Sequence, residues 1–210
     1  MRGERVPLSQ LAEEAVKVEI DILKNPIGKQ DQYAAAFGGM NYIRFLKDER
    51  VSIEAVTTVN DNVEKLFNHI MLFWTGKTRK ASDILSVQKK NTNKKEDNLI
   101  IMRDQAEKIY NLMRQSLNLK KFSDILTEGW RLKRDLANTI SNDQIDYWYD
   151  TAVKAGALAG KLCGAGGGGF LLFIVPLKNQ NNVRKALAEL KELKIRYEPH
   201  GSILLIPNYT

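Results

Sequence analysis

Two stretches of the chain combine residue types and spacings able to do chemistry. The first is Lys161-Leu162-Cys163-Gly164-Ala165-Gly166-Gly167-Gly168-Gly169-Phe170, where five of the six positions 164–169 are glycine. Glycine lets a backbone take positive φ and approach another group closely. Such a loop can turn its N–H groups toward a phosphate or lie against an adjacent loop. A close packing turn between two elements is the plainer use of the same residues. The second stretch is Asn25-Pro26-Ile27-Gly28-Lys29-Gln30-Asp31-Gln32. A carboxylate at Asp31, flanked by Lys29, Gln30 and Gln32, can orient or deprotonate a hydroxyl while its neighbours fix the geometry. Glu19, twelve residues earlier, offers a carboxylate to a metal ion. Each has an ordinary use as well, since a turn Asp commonly caps and a helical Glu is commonly solvated.

Taken literally, Gly164–Gly169 satisfies the dinucleotide pattern GxGxxG. A dinucleotide loop follows a strand and opens a helix, whereas the flanks here predict a helix before and a strand after. No lysine followed by Ser or Thr closes the loop, so it is not a P-loop. Lys77, Thr78 and Arg79 follow Gly76 and could bind an anion, with solvated surface as the competing use. Cys163 has no histidine placed beside it and reads as a small packing residue. His69 and His200 read as structural, and Trp130 and Trp148 sit at core spacing.

The elements that must hold these groups follow from periodicity. Leu8, Leu11, Ala15, Val18 and Ile22 are spaced as one buried helical face, and Asn25-Pro26 should end that helix. Asp31 then falls in a polar loop. Asn41–Leu46 and Val51–Val56 predict strands joined by a charged turn, and Ile70–Trp74 a third strand stopped by Thr75-Gly76. Apolar stripes predict helices through Leu99, Met102, Ala106, Ile109, Met113 and Leu117, then through Phe122–Leu136 and Ile145–Ala155. The tail predicts a strand at Phe170–Val175 and a helix carrying Val183, Ala186, Leu190 and Leu193. Strands at Ile195–Glu198 and Ile203–Ile206 should follow. The expected class is α+β, with helices on one face of an antiparallel sheet.

Composition sets the outer bounds. At 210 residues, 43% hydrophobic and 27% charged, the chain suits one globular domain or two small ones. No apolar run reaches the length of a bilayer span, and Met1–Gln10 lacks the apolar core of a signal peptide. A single cysteine fits a reducing compartment, so the cytoplasm is the expected location. The net charge of +7 arises from 32 basic and 25 acidic residues that are mostly interspersed. The densest basic cluster, Lys89–Lys95, contains no aromatic residue for stacking on bases. Small anionic ligands are therefore expected as partners, with no nucleic acid and no membrane.

The run P-I-G-K-Q-D-Q-Y-A-A-A-F-G-G at 26–39, followed downstream by G-A-G-G-G-G-F at 164–170, resembles the GHMP kinases. Within them it is most similar to the branch acting on D-glycero-D-manno-heptose 7-phosphate. LFWTGKTRKASDIL at 72–85, EGWRLKRDLANTIS at 128–141 and GKLCGAGGGGFLLFIVP at 160–176 extend the resemblance over essentially the whole chain. It implies ATP-dependent phosphorylation of a sugar phosphate at its anomeric hydroxyl, with ATP and Mg²⁺ as cofactors and a homodimer left open. It also implies the remainder of an S5-like N-terminal domain at 1–78 and a ferredoxin-like C-terminal domain at 79–210. By the same resemblance Asp31 stands beside the acceptor hydroxyl and Glu19 helps hold Mg²⁺. Lys29, Gln30, Gln32, Thr78, Arg79, Lys133 and Lys161 contact the acceptor, and Gly164, Ala165, Gly166, Gly167, Gly168 and Gly169 support the nucleotide phosphate loop. The family's N-terminal substrate strand and its PxGxGLGSS loop have no counterpart in this sequence, which implies a truncated product or an internal start. Little ATP turnover is then expected of these 210 residues alone. The rival readings are a fucose- or galactose-type kinase of the same superfamily and a non-catalytic binding or regulatory relative.

Overall fold

The computed structural model describes residues 6–56, 61–78, 84–85, 88 and 95–203. Arg79, the lysines at 89, 90 and 94, and the strand expected after Ile203 lie outside them. The chain divides into two compact units, one from the N-terminus to Val56 together with the tail from Tyr197, the other from Thr57 to Arg196. This division differs from the one expected at residue 78, because the strand at Ile70–Trp74 pairs within the second unit.

In the first unit, α1 (Leu8–Val16) runs into a π-helical turn at Lys17–Ile22. Helix α2 (Gln30–Phe37) follows, then the antiparallel hairpin β1 (Asn41–Phe45) and β2 (Val51–Ala55), with Ile43 opposite Ile53. The small core is Ala12, Tyr33 and Ala36, with Val16, Ile43 and Val51 packed on it. The expected buried face is therefore corrected: Leu8, Leu11, Val18 and Ile22 are 36–64% exposed. Small residues at Ala12 and Ala36 let α1 and α2 approach, and the π turn, where Leu23 N–H bonds Val18 O at 2.9 Å, breaks the 3.6-residue spacing beyond Val16. Apolar spacing shows which face is apolar, but not what covers it.

Helix α2 is a second correction, since residues 27–32 were expected to be loop throughout. Three consecutive alanines favour the helix, and Gly38 at φ +63° ends it with its N–H on Ala34 O. The tail returns to this point: Gly39 N–H bonds Glu198 O at 3.0 Å and Ser202 N–H bonds Ala36 O at 3.2 Å. No strand forms at Ile195–Glu198, because the tail's backbone groups bond to α2 and its cap instead of to a neighbouring strand.

The second unit holds α3 (Asn62–Asn68), β3 (Ile70–Trp74), α4 (Glu96–Met113), α5 (Leu119–Leu136) and α6 (Asp143–Lys154). The hairpin β4 (Ala159–Leu162) and β5 (Phe170–Ile174), α7 (Gln180–Ala186) and β6 (Lys191–Leu193) complete it. The sheet has the order β4-β5-β3-β6 and every pairing is antiparallel. A β–α–β–β–α–β chain order with that strand order is the ferredoxin-like arrangement. Phe73, Leu171, Phe173, Trp130, Trp148 and Leu187 lie in the core. Asn118 and Asn142 cap α5 and α6 with their side-chain oxygens.

Three element expectations shift. Gln105, not Ala106, is buried on α4, where its amide donates to Glu128 Oε2 at 3.0 Å. Helix α7 stops at Ala186, so Leu193 belongs to the edge strand β6. Strand β4 was unforeseen, because Ala-Gly-Lys-Leu carries no β-branched or aromatic signal. Among the described residues no helix is long and apolar enough to cross a membrane.

Candidate active site

The candidate residues fall in both units, and each group is built by its own local structure. In the first unit Asp31 stands exposed in the first turn of α2, not in the loop before it. The free N–H groups of a helix start leave hydrogen-bond donors beside it. Gln30 beside it is also exposed. Gln32 turns the other way, 6% exposed, and its Oε1 has no hydrogen-bond partner. Lys29 donates to Glu49 Oε2 at 2.6 Å, and that bond is the main reason its ammonium titrates above the usual lysine range. Half-buried Glu19 lies in the π turn, where its carbonyl accepts from Asn25 N–H at 3.0 Å.

Among the described residues no three His, Cys, Asp or Glu side chains gather as a metal-holding group. Glu19 is thus a lone carboxylate, and a cation held there would have to draw the rest of its shell from substrate phosphates and water.

In the second unit the glycine loop joins two strands, β4 and β5, so the helix expected before it is replaced by a strand. It still opens a strand, and the dinucleotide reading stays rejected. Its inner half is packed against protein. Gly167 N–H bonds Ile140 O and Gly169 N–H bonds Lys77 O, both at 2.9 Å. Gly166 has φ +118°, and a Cβ there would lie 2.8 Å from Ile140 Cα. Thr75, which sequence reasoning passed over, clasps the loop: its hydroxyl donates to Gly169 O at 2.8 Å and accepts from Gly169 N–H at 3.0 Å. Its one legible signal was a threonine ending a buried strand.

The outer half differs. Gly164 is exposed with open space around it, and Lys133 Nζ from α5 donates to its carbonyl at 2.5 Å. Burial, and then the charge of Lys161, bring Lys133 down to about 8, with Cys163 opposing. Burial raises the Cys163 thiol, while Lys161 and Lys133 pull it back. Lys133, Lys161 and the loop rim are thus brought together. Lys77 and Thr78 emerge exposed after β3, and the packing turn around Thr75 fixes the backbone just before Thr78.

Residues 104–193 match the family described as GHMP kinases C terminal. The chain is 34% identical over 181 residues to D-glycero-alpha-D-manno-heptose 7-phosphate kinase of Campylobacter jejuni, spanning 85% of this chain and 53% of that protein. It is 25% identical over 202 residues to a galactokinase of Thermococcus kodakarensis, spanning 84% of this chain and 56% of that one. A solved D-glycero-D-manno-heptose 1-phosphate kinase from Bacteroides thetaiotaomicron superposes with a TM-score of 0.67 at 25% identity, covering 94% of this chain and 55% of that chain. The chain therefore spans little more than half the length of these relatives. With the sheet order and loop described above, residues 104–193 are a GHMP kinase C-terminal domain, and the chain has the fold of the C-terminal portion of a GHMP kinase.

Proposed function

We propose that the protein acts as an ATP-dependent sugar kinase whose acceptor already carries a phosphate, of the heptose 7-phosphate kind. The observation that carries this reading is the 34% identity to a heptose 7-phosphate kinase across 85% of the chain. The acceptor hydroxyl attacks the γ-phosphorus of ATP, its proton passes to the Asp31 carboxylate, and the bond to the leaving ADP breaks. Asp31 stands exposed in the first turn of a helix, open to a hydroxyl approaching from solvent. Gln30 stands exposed beside it, and Lys29 and Glu49 brace the loop before α2. When bound, Mg²⁺ would neutralise charge on the transferring phosphoryl group, with Glu19 as its protein ligand. The glycine loop acts by holding backbone, since its inner N–H groups are spent on Ile140 and Lys77.

Asp31→Asn should lower kcat by about 10²-fold or more with ATP affinity nearly unchanged, the loss typical of a positioned proton acceptor. A near-normal kcat in that variant would remove Asp31 from the mechanism. A hydroxyl-only acceptor is the second reading, favoured by the 25% identity to a galactokinase. Comparing mannose 6-phosphate, heptose 7-phosphate, galactose and fucose as acceptors decides between them. A clear preference for the unphosphorylated sugars would replace the first reading by the second.

A further inference from the structure

Helix α2, which carries Asp31, is only eight residues long. A helix that short does not hold itself in water, so its position is set by what it touches. At its start Lys29 supplies no side-chain cap, and the Lys29–Glu49 ion pair is screened by solvent, with Glu49 83% exposed. One flank, at Tyr33 and Ala36, packs with Ala12 in the small core. The far end is closed by the tail, 167 positions away in sequence. There Ser202 Oγ donates to Ala35 O at 3.3 Å and Ser202 N–H to Ala36 O at 3.2 Å. Both are carbonyls that a helix end leaves without an intrahelical partner. In return Gly39 N–H donates to Glu198 O at 3.0 Å. The crossing is backbone on backbone: a Cβ on Gly201 would overlap Ala36 O, and one on Gly38 would overlap Gly201 N. His200 N–H donates to the Glu198 carboxylate at 2.8 Å, which folds the tail at this point. Glu198, Pro199, His200 and Ser202 are all exposed, so the tail adds little to the core and acts on α2 itself.

We propose that the tail segment from Tyr197 to Ser202 is a strap that positions the Asp31 carboxylate, with Gly201 and Ser202 as its positioning residues. The proposal rests on the reading of Asp31 as the proton acceptor. Asp31 stands five residues before Ala36, about 7–8 Å along the helix axis. Loosening the strap by about 1 Å lets the whole short helix tilt and carries a comparable displacement to Asp31. Misplacement of that size costs up to about 10²-fold in rate. Gly201 and Ser202 act through the helix, by filling its end and by leaving no room for a second arrangement.

Three substitutions separate positioning from general support. Gly201→Ala wedges the strap off α2, Ser202→Ala removes the hydroxyl bond to Ala35, and Ser202→Thr keeps both donors. NMR relaxation on the 210-residue chain reads backbone order at Gln30, Asp31 and Gln32 without any turnover. Order parameters of about 0.85 are expected there, falling below about 0.6 in Gly201→Ala and partway in Ser202→Ala. Ser202→Thr should restore them, and Ile43 and Ile53 of the hairpin should stay rigid throughout. Ser202→Ala, an exposed change, keeps the test open should Gly201→Ala fail to fold. Unchanged order at Asp31, or an equal loss in the hairpin, overturns the strap. In turnover, Gly201→Ala should lower kcat at least about tenfold with KM for ATP within about twofold, and cost nothing further in Asp31→Asn. Additive losses in that double variant overturn the coupling to Asp31. If the order parameters behave as expected but Asp31→Asn keeps a near-normal kcat, the strap stands and the proton-acceptor reading falls.

Discussion

Lys133 reports its surroundings through its titration. Burial and the neighbouring Lys161 hold its ammonium near 8 instead of the usual 10.5. Between those values the unfolded chain binds more protons than the native one, so stability rises as pH climbs from about 8 to 10.5. Below 8 the penalty is fully present. The whole shift corresponds to about 3 kcal/mol, and solvent reaching this half-buried side chain reduces it to roughly 1–2 kcal/mol. Lys133→Met should therefore be more stable than wild type at pH 7 by that reduced amount, with the gain vanishing toward pH 10.5. Urea unfolding at pH 7 and pH 10 measures it, and an equal gain at both values would show that desolvation is not the cause. At this scale the sequence disclosed residue types well. Asp31, Glu19, Lys133 and Lys161 were nameable as candidates through the family resemblance and not through their own spacing. Their partners were not: Glu49 on Lys29 and Thr75 on Gly169 are separated by 20 and 94 positions, distances no local pattern spans.

Elements with strong local signals were the ones that could be read. Strands β1, β2, β3 and β5 are runs rich in aromatic or β-branched residues between turns, and they formed where expected. Strand β4 could not be read, because its role depends on partner residues. Gly160 sits where a Cβ would lie 2.4 Å from the Phe173 ring, so the glycine that weakens the strand signal is required by the neighbouring strand. The π turn was equally hidden, since no residue in Lys17–Ile22 forces i→i+5 bonding. The glycine loop allows a direct test of packing against flexibility. Gly166→Ala places a Cβ 2.8 Å from Ile140 Cα at φ +118°, both sterically and conformationally unfavourable. Its cost should be about 2–4 kcal/mol in chemical denaturation. Gly28→Ala, where a Cβ meets nothing within 4 Å and φ is ordinary, should be neutral or stabilising by up to about 1 kcal/mol. Similar effects at both positions would mean that the loop is not held against the Ala137–Ile140 turn.

At the scale of the molecule, the sheet recruits β3 from a segment that sequence reading had assigned to the first domain. The pairing of Ile70–Trp74 with both β5 and β6 decides its membership. Net charge is the other whole-chain property, and it bears on the choice of partner. The excess of +7 is spread among acids, and several basic groups are already paired, as Arg134 is with Asp146 and Arg184 with Glu192. Among the described residues the half-buried Lys133 and Lys161 have no acid paired with them. A surface of that kind attracts polyanions only through long-range charge, which salt screens within about 8 Å at physiological ionic strength. Nucleic acid should then bind weakly and without preference. Two unrelated 20-base-pair duplexes, titrated by fluorescence anisotropy, should give indistinguishable curves at 50 mM salt. At 150 mM salt both should be weaker than about 1 µM, the range of purely electrostatic association. Lys133→Met should leave those curves almost unchanged, because one half-buried cation contributes little to a long-range field. Tight or sequence-selective duplex binding at 150 mM salt would instead assign the basic excess to nucleic acid and displace small phosphorylated sugars as the ligands this surface serves.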